Sequence, residues 1–417
     1  MVTVDLRSRL VGDAIDLDPE AFLNDVAPAL VDRHGVLAGD GATRLGLAPM
    51  TLDVDGTTLT FAARDGLMSV SGGGGGVLHV ALDVPAFADL VQDGASTFGL
   101  SMTARARIVE GSADQFVAWE PVLRSLLDGR PVYTPGTVQF RAPDGSQLDT
   151  NQSFSLDDDP AAIGWFVAEA GFLHVKGVFT ADEMAAVSAD LDVAAAEADP
   201  EDGSSWWART NGGEHFATRN LGFNHKSAPL REAQNSQRFR SLGRLTDDLF
   251  RQRDPDSGDS AEGLVKKVGV VEGISDVSWH KDCSMGGHTR RCCSLVVGIS
   301  VTGAGPENGE LGVVVGSHRA NVAPLGVEGL DLPKRALPTN TGDVTVHCSC
   351  TLHMSRPPVS AERRVVYTGF ELAPREGDVV PEVSGEAVRA ARASLNGHVT
   401  RQQRGHELGN ALVSHEL

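Results

Sequence analysis

Between Val265 and Phe370 the chain is written in short runs of apolar and β-branched residues broken by Gly, Asn and Asp, and this rhythm constrains its fold more than any other feature. Runs of that length bounded by turn formers read as strands, and many of them in succession give an antiparallel sandwich or barrel. Helical patterns flank the region: one begins at Thr180, where Thr-Ala-Asp-Glu183 spells a capping box, and another follows Gly385. A β-sandwich or barrel braced by helices is therefore expected for the second part of the chain.

The 417 residues exceed what one ordinary core absorbs, so a second unit is expected. Residues 1–140 supply it as an α/β module. Helical spacing runs over 21–36 and strand-like runs over 57–63 and 66–70; another strand at 77–84, a helix at 85–91, a strand at 101–110 and a helix at 113–127 follow. The five glycines 72–76 lack a following Lys-Ser/Thr, which excludes a phosphate loop and predicts a hairpin turn. Residues 135–160, rich in Pro, Gly, Asp, Ser and Gln, read as a linker (141–160), leaving 161–417 as the second domain.

Composition narrows the function. A formal net charge of −20 repels phosphate backbones and argues against nucleic acid as a partner. No stretch approaches the ~20 apolar residues of a membrane span, and the N-terminus lacks an apolar signal core, so a cytoplasmic protein is expected. Its five cysteines, Cys283, Cys292, Cys293, Cys348 and Cys350, form no CxxC pair and are an odd count, which suits reduced, small core residues.

Ser-Trp-His-Lys-Asp282 carries the strongest chemical signal. On an extended strand His280 and Asp282 project to one face and Lys281 to the other, presenting an imidazole and a carboxylate together. A distant histidine would complete a two-histidine, one-carboxylate facial triad, which suits iron(II) with positions left open. His347 and His353 could each supply it. His353 is chosen because Arg363 and Arg364 follow on the next strand-like run, and a guanidinium pairs bidentately with the distal carboxylate of 2-oxoglutarate. His347 and His288 are then ordinary polar or core histidines, and His318 a turn residue that caps backbone groups.

With His-x-Asp, a turn Glu307-Asn-Gly-Glu310, Gly316-Ser-His-Arg319, and then Gly-Asp343, His353 and Arg in order, the chain over about 155–375 resembles the phytanoyl-CoA dioxygenase family. Gly171-Phe-Leu-His-Val-Lys-Gly-Val-Phe179 resembles that family's opening strand. The resemblance implies a double-stranded β-helix (jelly-roll, cupin-like) core. It also implies Fe(II) as cofactor, 2-oxoglutarate and O₂ as cosubstrates, and succinate and CO₂ as coproducts. By it, His280, Asp282 and His353 fall on metal positions, and Ser355 and Arg364 on cosubstrate positions. Alternation then turns Arg363 to solvent. Where the family has an upstream polar residue this chain has Lys266 and Lys267, of which Lys267 is the expected contact. Relatives that halogenate carry a small residue in place of the carboxylate, so Asp282 favours hydroxylation or another oxidation. The order of elements in the first ~140 residues, with Asp-Gly-Thr-Thr-Leu-Thr-Phe-Ala-Ala-Arg-Asp-Gly66 and Phe98-Gly-Leu-Ser-Met-Thr-Ala-Arg-Ala-Arg-Ile-Val-Glu-Gly111, resembles the sterol carrier protein-like α/β fold. That implies a module for apolar ligands, docking or homo-oligomer formation.

The expected substrate is a small, partly apolar metabolite. Trp206, Trp207, His215 and Arg219, in a Gly- and Asn-containing stretch, together with Arg290, are the candidate contacts. Two rival readings stand beside the oxygenase: a catalytically inactive apolar-ligand-binding protein, and a cupin-type zinc enzyme that needs neither Arg364 nor Ser355.

Overall fold

The computed structural model describes residues 17–201, 203–243, 250–273, 277–285 and 294–372. The helical pattern after Gly385 lies outside them. Two apolar cores organise the described residues.

The first core sits under a five-stranded sheet of β1 (Met50–Val54), β2 (Thr57–Arg64), β3 (Leu67–Gly72), β4 (Leu78–Leu82) and β5 (Ala106–Glu110), ordered β3-β2-β1-β4-β5. In strands β1, β2 and β4 the residues Leu52, Leu59, Phe61, Leu78 and Val80 alternate inward and are almost wholly buried. Helices α1 (Ala27–Arg44), α2 (Val84–Val91), α3 (Thr97–Met102), α4 (Ala113–Ala118) and α5 (Glu120–Asp128) complete the unit. Asp83, Ser96 and Ser112 cap α2, α3 and α4 through their side-chain oxygens, which satisfies backbone N–H groups that the helices leave open.

Two expectations fail here. The glycine run is no hairpin turn: β3 pairs with β2, while β4 runs parallel to β1, so residues 72–76 carry the chain across from one side of the β1–β2 pair to the other. The crossing hugs β1, where a Cβ on Gly76 would lie 2.6 Å from the Thr51 nitrogen. The strand expected over 101–110 begins only at Ala106, because Ser96 caps a helix through Met102 first.

Helices α6 (Pro160–Ala170) and α7 (Ala181–Ala196) brace the second core, and Thr180 and Glu183 form both halves of the capping box. Its strands are β6 (Phe172–Val175), β7 (Ser205–Thr210), β8 (His215–Asn220), β9 (Phe250–Gln252), β10 (Glu262–Lys266), β11 (Val270–Glu272), β12 (Val277–His280), β13 (Ser294–Ser300), β14 (Leu311–Val314), β15 (Lys334–Leu337), β16 (Val344–Cys348), β17 (His353–Ser355) and β18 (Arg363–Leu372). Eight of them run in the order β11-β7-β8-β10-β18-β13-β16-β6, with β9 on β18, and a four-stranded sheet β12-β17-β14-β15 stands apart. All these pairings are antiparallel. This is a mixed α/β protein whose larger part is a two-sheet, jelly-roll-like body.

The stretch expected to be a linker does not run free. Phe140, Leu148 and Phe154 belong to the second core, and Phe154 bridges to Val175 of β6. Apolar residues spaced singly among polar ones escape a compositional reading, yet each buried ring contributes about 2 kcal/mol. No helix of the described residues is long and apolar enough to cross a membrane.

Candidate metal centre and cosubstrate cavity

A cavity of about 520 Å³ opens between the two sheets. The four-stranded sheet contributes Val277, His280, Leu311, His353 and Ser355, and the nine-stranded sheet Leu264, Lys266, Val296, His347 and Tyr367. Arg219 and Glu262, an ion pair at 3.1 Å, and Arg253 and Glu371, a pair at 2.9 Å, lie among its walls.

At one end three imidazoles surround one carboxylate. His280 ends β12 and sits opposite His353 on β17. Asp282 is not on an extended strand as the alternation argument assumed; the strand stops at His280, and Asp282 opens a 3₁₀ turn (Asp282–Met285). Its carboxylate lies 3.3 Å from His280 Nε2, 3.5 Å from His353 Nε2 and 3.3 Å from His347 Nε2. One ligand atom each from His280, Asp282 and His353 falls within 4.8 Å of the others, a grouping able to hold a metal ion.

Backbone carbonyls orient the two outer imidazoles. His280 Nδ1 lies 2.7 Å from the Ser278 oxygen, and His353 Nδ1 lies 2.9 Å from the Thr351 oxygen. A carbonyl only accepts, so each Nδ1 carries the proton and each Nε2 presents its lone pair to the cluster. Burial alone would raise the Asp282 carboxyl, yet the imidazoles of His353, His280 and His347 hold it well below the usual carboxylate range. Burial, reinforced by His280 and His347 against the pull of Asp282, pushes His353 well below the usual imidazole value. The set offers two imidazole nitrogens and one carboxylate oxygen, the donor chemistry of a divalent transition metal.

His347 is the member that sequence reasoning missed; it is no ordinary core histidine. It is 1 % exposed, lines the cavity, and its ring stands 4.1 Å from that of His353. The signal was in the alternation of β16, where Val344 and Val346 enter the core, which turns Thr345 and His347 to the opposite, cavity-facing side. Because His347 touches Asp282 through Nε2, its replacement by Leu is expected to weaken divalent metal binding roughly ten- to a hundredfold, as read by anaerobic titration. An unchanged dissociation constant would show that His347 does not orient the carboxylate.

Two cations meet at Ser355. Lys266 Nζ donates to Ser355 Oγ at 2.6 Å and to the Arg356 oxygen at 2.8 Å, and Arg363 donates to the same hydroxyl at 3.2 Å. The register β10–β18 places Lys266 opposite Arg363 and Val265 opposite Arg364, so the first pair shares the inner face. Arg363 also donates to the Gly309 oxygen; Gly309 has φ +78° and passes so near the Arg356 carbonyl that a Cβ would lie 2.1 Å from it.

Five expected residues are thereby corrected. Arg364 faces away from the cavity, bound to Asp192 and Ser188 of α7 and to Glu362, and the buried member of the pair is Arg363. Lys267 turns outward to Glu214 at 2.5 Å and over the Phe216 ring, and Lys266 enters in its place. Trp206, Trp207 and His215 line no part of this cavity: Trp206 backs Arg219 at 4.6 Å, and Trp207 and His215 stack on each other at 4.8 Å. Arg219 does line it. His318 donates from Nε2 to the Ala168 oxygen, 3.0 Å away, as a turn residue meeting backbone. Arg290, His288, Cys292 and Cys293 lie outside the described residues.

Facing antiparallel sheets with two imidazoles and a carboxylate converging between them make a jelly-roll-like body with a candidate metal centre. Residues 167–366 match the model of phytanoyl-CoA dioxygenase (PhyH), so this part of the chain is similar to that family. No curated protein matches the sequence. Among solved structures, AviO1 from Streptomyces viridochromogenes Tue57 is 21% identical, with 52% of this chain and 97% of that one covered and a TM-score of 0.41. The non-heme alpha ketoglutarate dependent epimerase SnoN from nogalamycin biosynthesis is 19% identical over 54% of this chain and 92% of its own, TM-score 0.40. EctD from S. alaskensis with bound Fe is 17% identical over 54% and 83%, TM-score 0.40.

Proposed function

We propose that this chain is an Fe(II)- and 2-oxoglutarate-dependent dioxygenase that oxidises a small, partly apolar metabolite. The observation that carries the reading is the pair of imidazoles whose Nδ1 protons are spent on the Ser278 and Thr351 carbonyls, leaving both Nε2 atoms beside the Asp282 carboxylate. Iron(II) bound there supplies O₂ activation coupled to conversion of 2-oxoglutarate into succinate and CO₂. His280, Asp282 and His353 hold the metal. Arg363, Ser355 and Lys266 bind the distal carboxylate of the cosubstrate. Arg363 is 5 % exposed, and no acid pairs with it among the described residues. A buried guanidinium without an anion is costly, so an incoming carboxylate is favoured there.

Leu264, Val277, Val296 and Leu311 give the cavity apolar walls that exclude water and suit the aliphatic part of a substrate. Arg219 with Glu262 and Arg253 with Glu371 present charged edges for its polar groups. Asp282 supports hydroxylation or a related oxidation over halogenation, since it fills the position a halide would need.

Anaerobic addition of iron(II) and 2-oxoglutarate should give a visible charge-transfer band, and admission of O₂ should release succinate, accelerated by substrate. A cupin-type zinc enzyme would give neither signal. A catalytically inactive binding protein would retain an apolar ligand and form no succinate, and that result would overturn the reading.

A further inference from the structure

The N-terminal unit touches the second domain at a place where position matters chemically. Helix α3 packs on the 3₁₀ turn Asp282–Met285, whose first residue is the carboxylate among the three imidazoles. Phe98 on α3 and Cys283 in the turn are each 7 % exposed, yet neither belongs to either of the two apolar cores. Leu100, two residues along and about 200° around the helix, belongs to the N-terminal core. One side of α3 is thus fixed in its own unit, and the helix as a whole lies against the turn.

Neighbouring contacts hold the same junction. Asn321, in the segment after β14, donates through Nδ2 to the Pro121 oxygen at 2.8 Å and the Arg130 oxygen at 3.0 Å, and its own carbonyl accepts from the Tyr133 nitrogen at 3.1 Å. Asp331 accepts from Tyr133 Oη at 2.5 Å and from the Gly136 nitrogen at 2.7 Å. Lys281, immediately before the carboxylate, reaches the Ala320 oxygen at 3.4 Å and lies within the electrostatic reach of Glu120 and Arg130 of the N-terminal unit.

We infer that the N-terminal unit completes the metal site: α3, through Phe98, buttresses the turn that presents Asp282, so docking of that unit sets where the carboxylate stands. The inference rests on the metal reading of the cluster and adds a function for the first third of the chain. A ligand on a strand is fixed by its ladder, but Asp282 stands on a short turn. Among the turn's anchors are the Cys283 N–H to the Ser349 oxygen, 3.1 Å, and the helix that packs on it. Constellations that bind metal require placement within about 0.5 Å, which a turn without backing does not hold.

The test is anaerobic iron(II) titration of the full chain without cosubstrate, comparing wild type, Phe98→Ala, Phe98→Leu and Leu59→Ala. Leu59 is wholly buried in the N-terminal core, on β2 and not on α3, and its truncation loosens that unit without touching the turn. Phe98→Ala should weaken iron binding roughly tenfold and shrink the iron-induced rise in melting temperature, Phe98→Leu should recover most of both, and Leu59→Ala should lower the melting temperature with the iron affinity unchanged. Wild-type affinity in Phe98→Ala overturns the inference, and so does an equal loss in Leu59→Ala, since that would reduce the effect to general instability. If Phe98→Ala does not fold, Phe98→Leu decides: an iron affinity equal to wild type overturns the inference. Iron that binds the wild type but gives no band on adding 2-oxoglutarate sinks the oxygenase reading alone, because the iron affinities still measure the buttress.

Discussion

Asp282→Ala will lose iron(II) binding by at least about a hundredfold, and with it the charge-transfer band and succinate formation. Removing groups that merely orient metal ligands costs roughly ten- to a hundredfold, and a carboxylate that itself ligates should cost more. Asp282 is moreover the anion on which His280, His347 and His353 all converge. Without it three imidazoles face one another and the negative charge that offsets a divalent cation is gone. Circular dichroism should stay native, because the turn's bond from the Cys283 nitrogen to the Ser349 oxygen does not involve the side chain. Iron affinity equal to wild type in the Ala variant would remove this cluster from consideration as the metal site.

The second large effect separates two adjacent arginines. Arg363→Ala should raise the 2-oxoglutarate concentration for half-saturation about a hundredfold, since losing two charge-assisted hydrogen bonds in a buried setting is worth roughly 3 kcal/mol. Arg364→Ala should change it less than about threefold, because that side chain is spent on Asp192, Glu362 and Ser188 outside the cavity. Arg363→Lys keeps the charge but not the planar fork and should fall between them. Arg363 also supports the Gly309 carbonyl, so melting temperatures must accompany the titrations. A larger effect from Arg364 would mean that β18 is turned over relative to β10.

That pair shows where sequence reading stops. Spacing identified the basic dipeptide after His353, and alternation stated correctly that its members face opposite ways. Which one faces in depends on the pairing of Lys266 with Arg363, a contact between residues almost a hundred positions apart. The same missing register sent Lys267 inward when Lys266 is the one that enters. The grouping of His280, Asp282 and His353 was legible because two of its members are neighbours and the third follows a conspicuous Gly-Asp turn. His347 was discounted because only one histidine seemed needed. The capping box at Thr180 is local chemistry and came out as written. The glycine run misled because a crossover and a hairpin use the same residues, and only the partner of β4 tells them apart.

The segment before α6 has a practical bearing on how this protein can be divided. A truncation starting at Pro160, the cut that composition recommends, would pull Phe140, Leu148 and Phe154 out of the body they help to fill and leave their sockets open to water. The strap behaves as the outer hoop of a cask: it looks expendable from its surface, yet the staves depend on it. A fragment meant to keep the second core filled should begin upstream of Tyr133, whose hydroxyl and backbone already hold Asp331 and Asn321, and without α3 it should bind iron more weakly than the full chain.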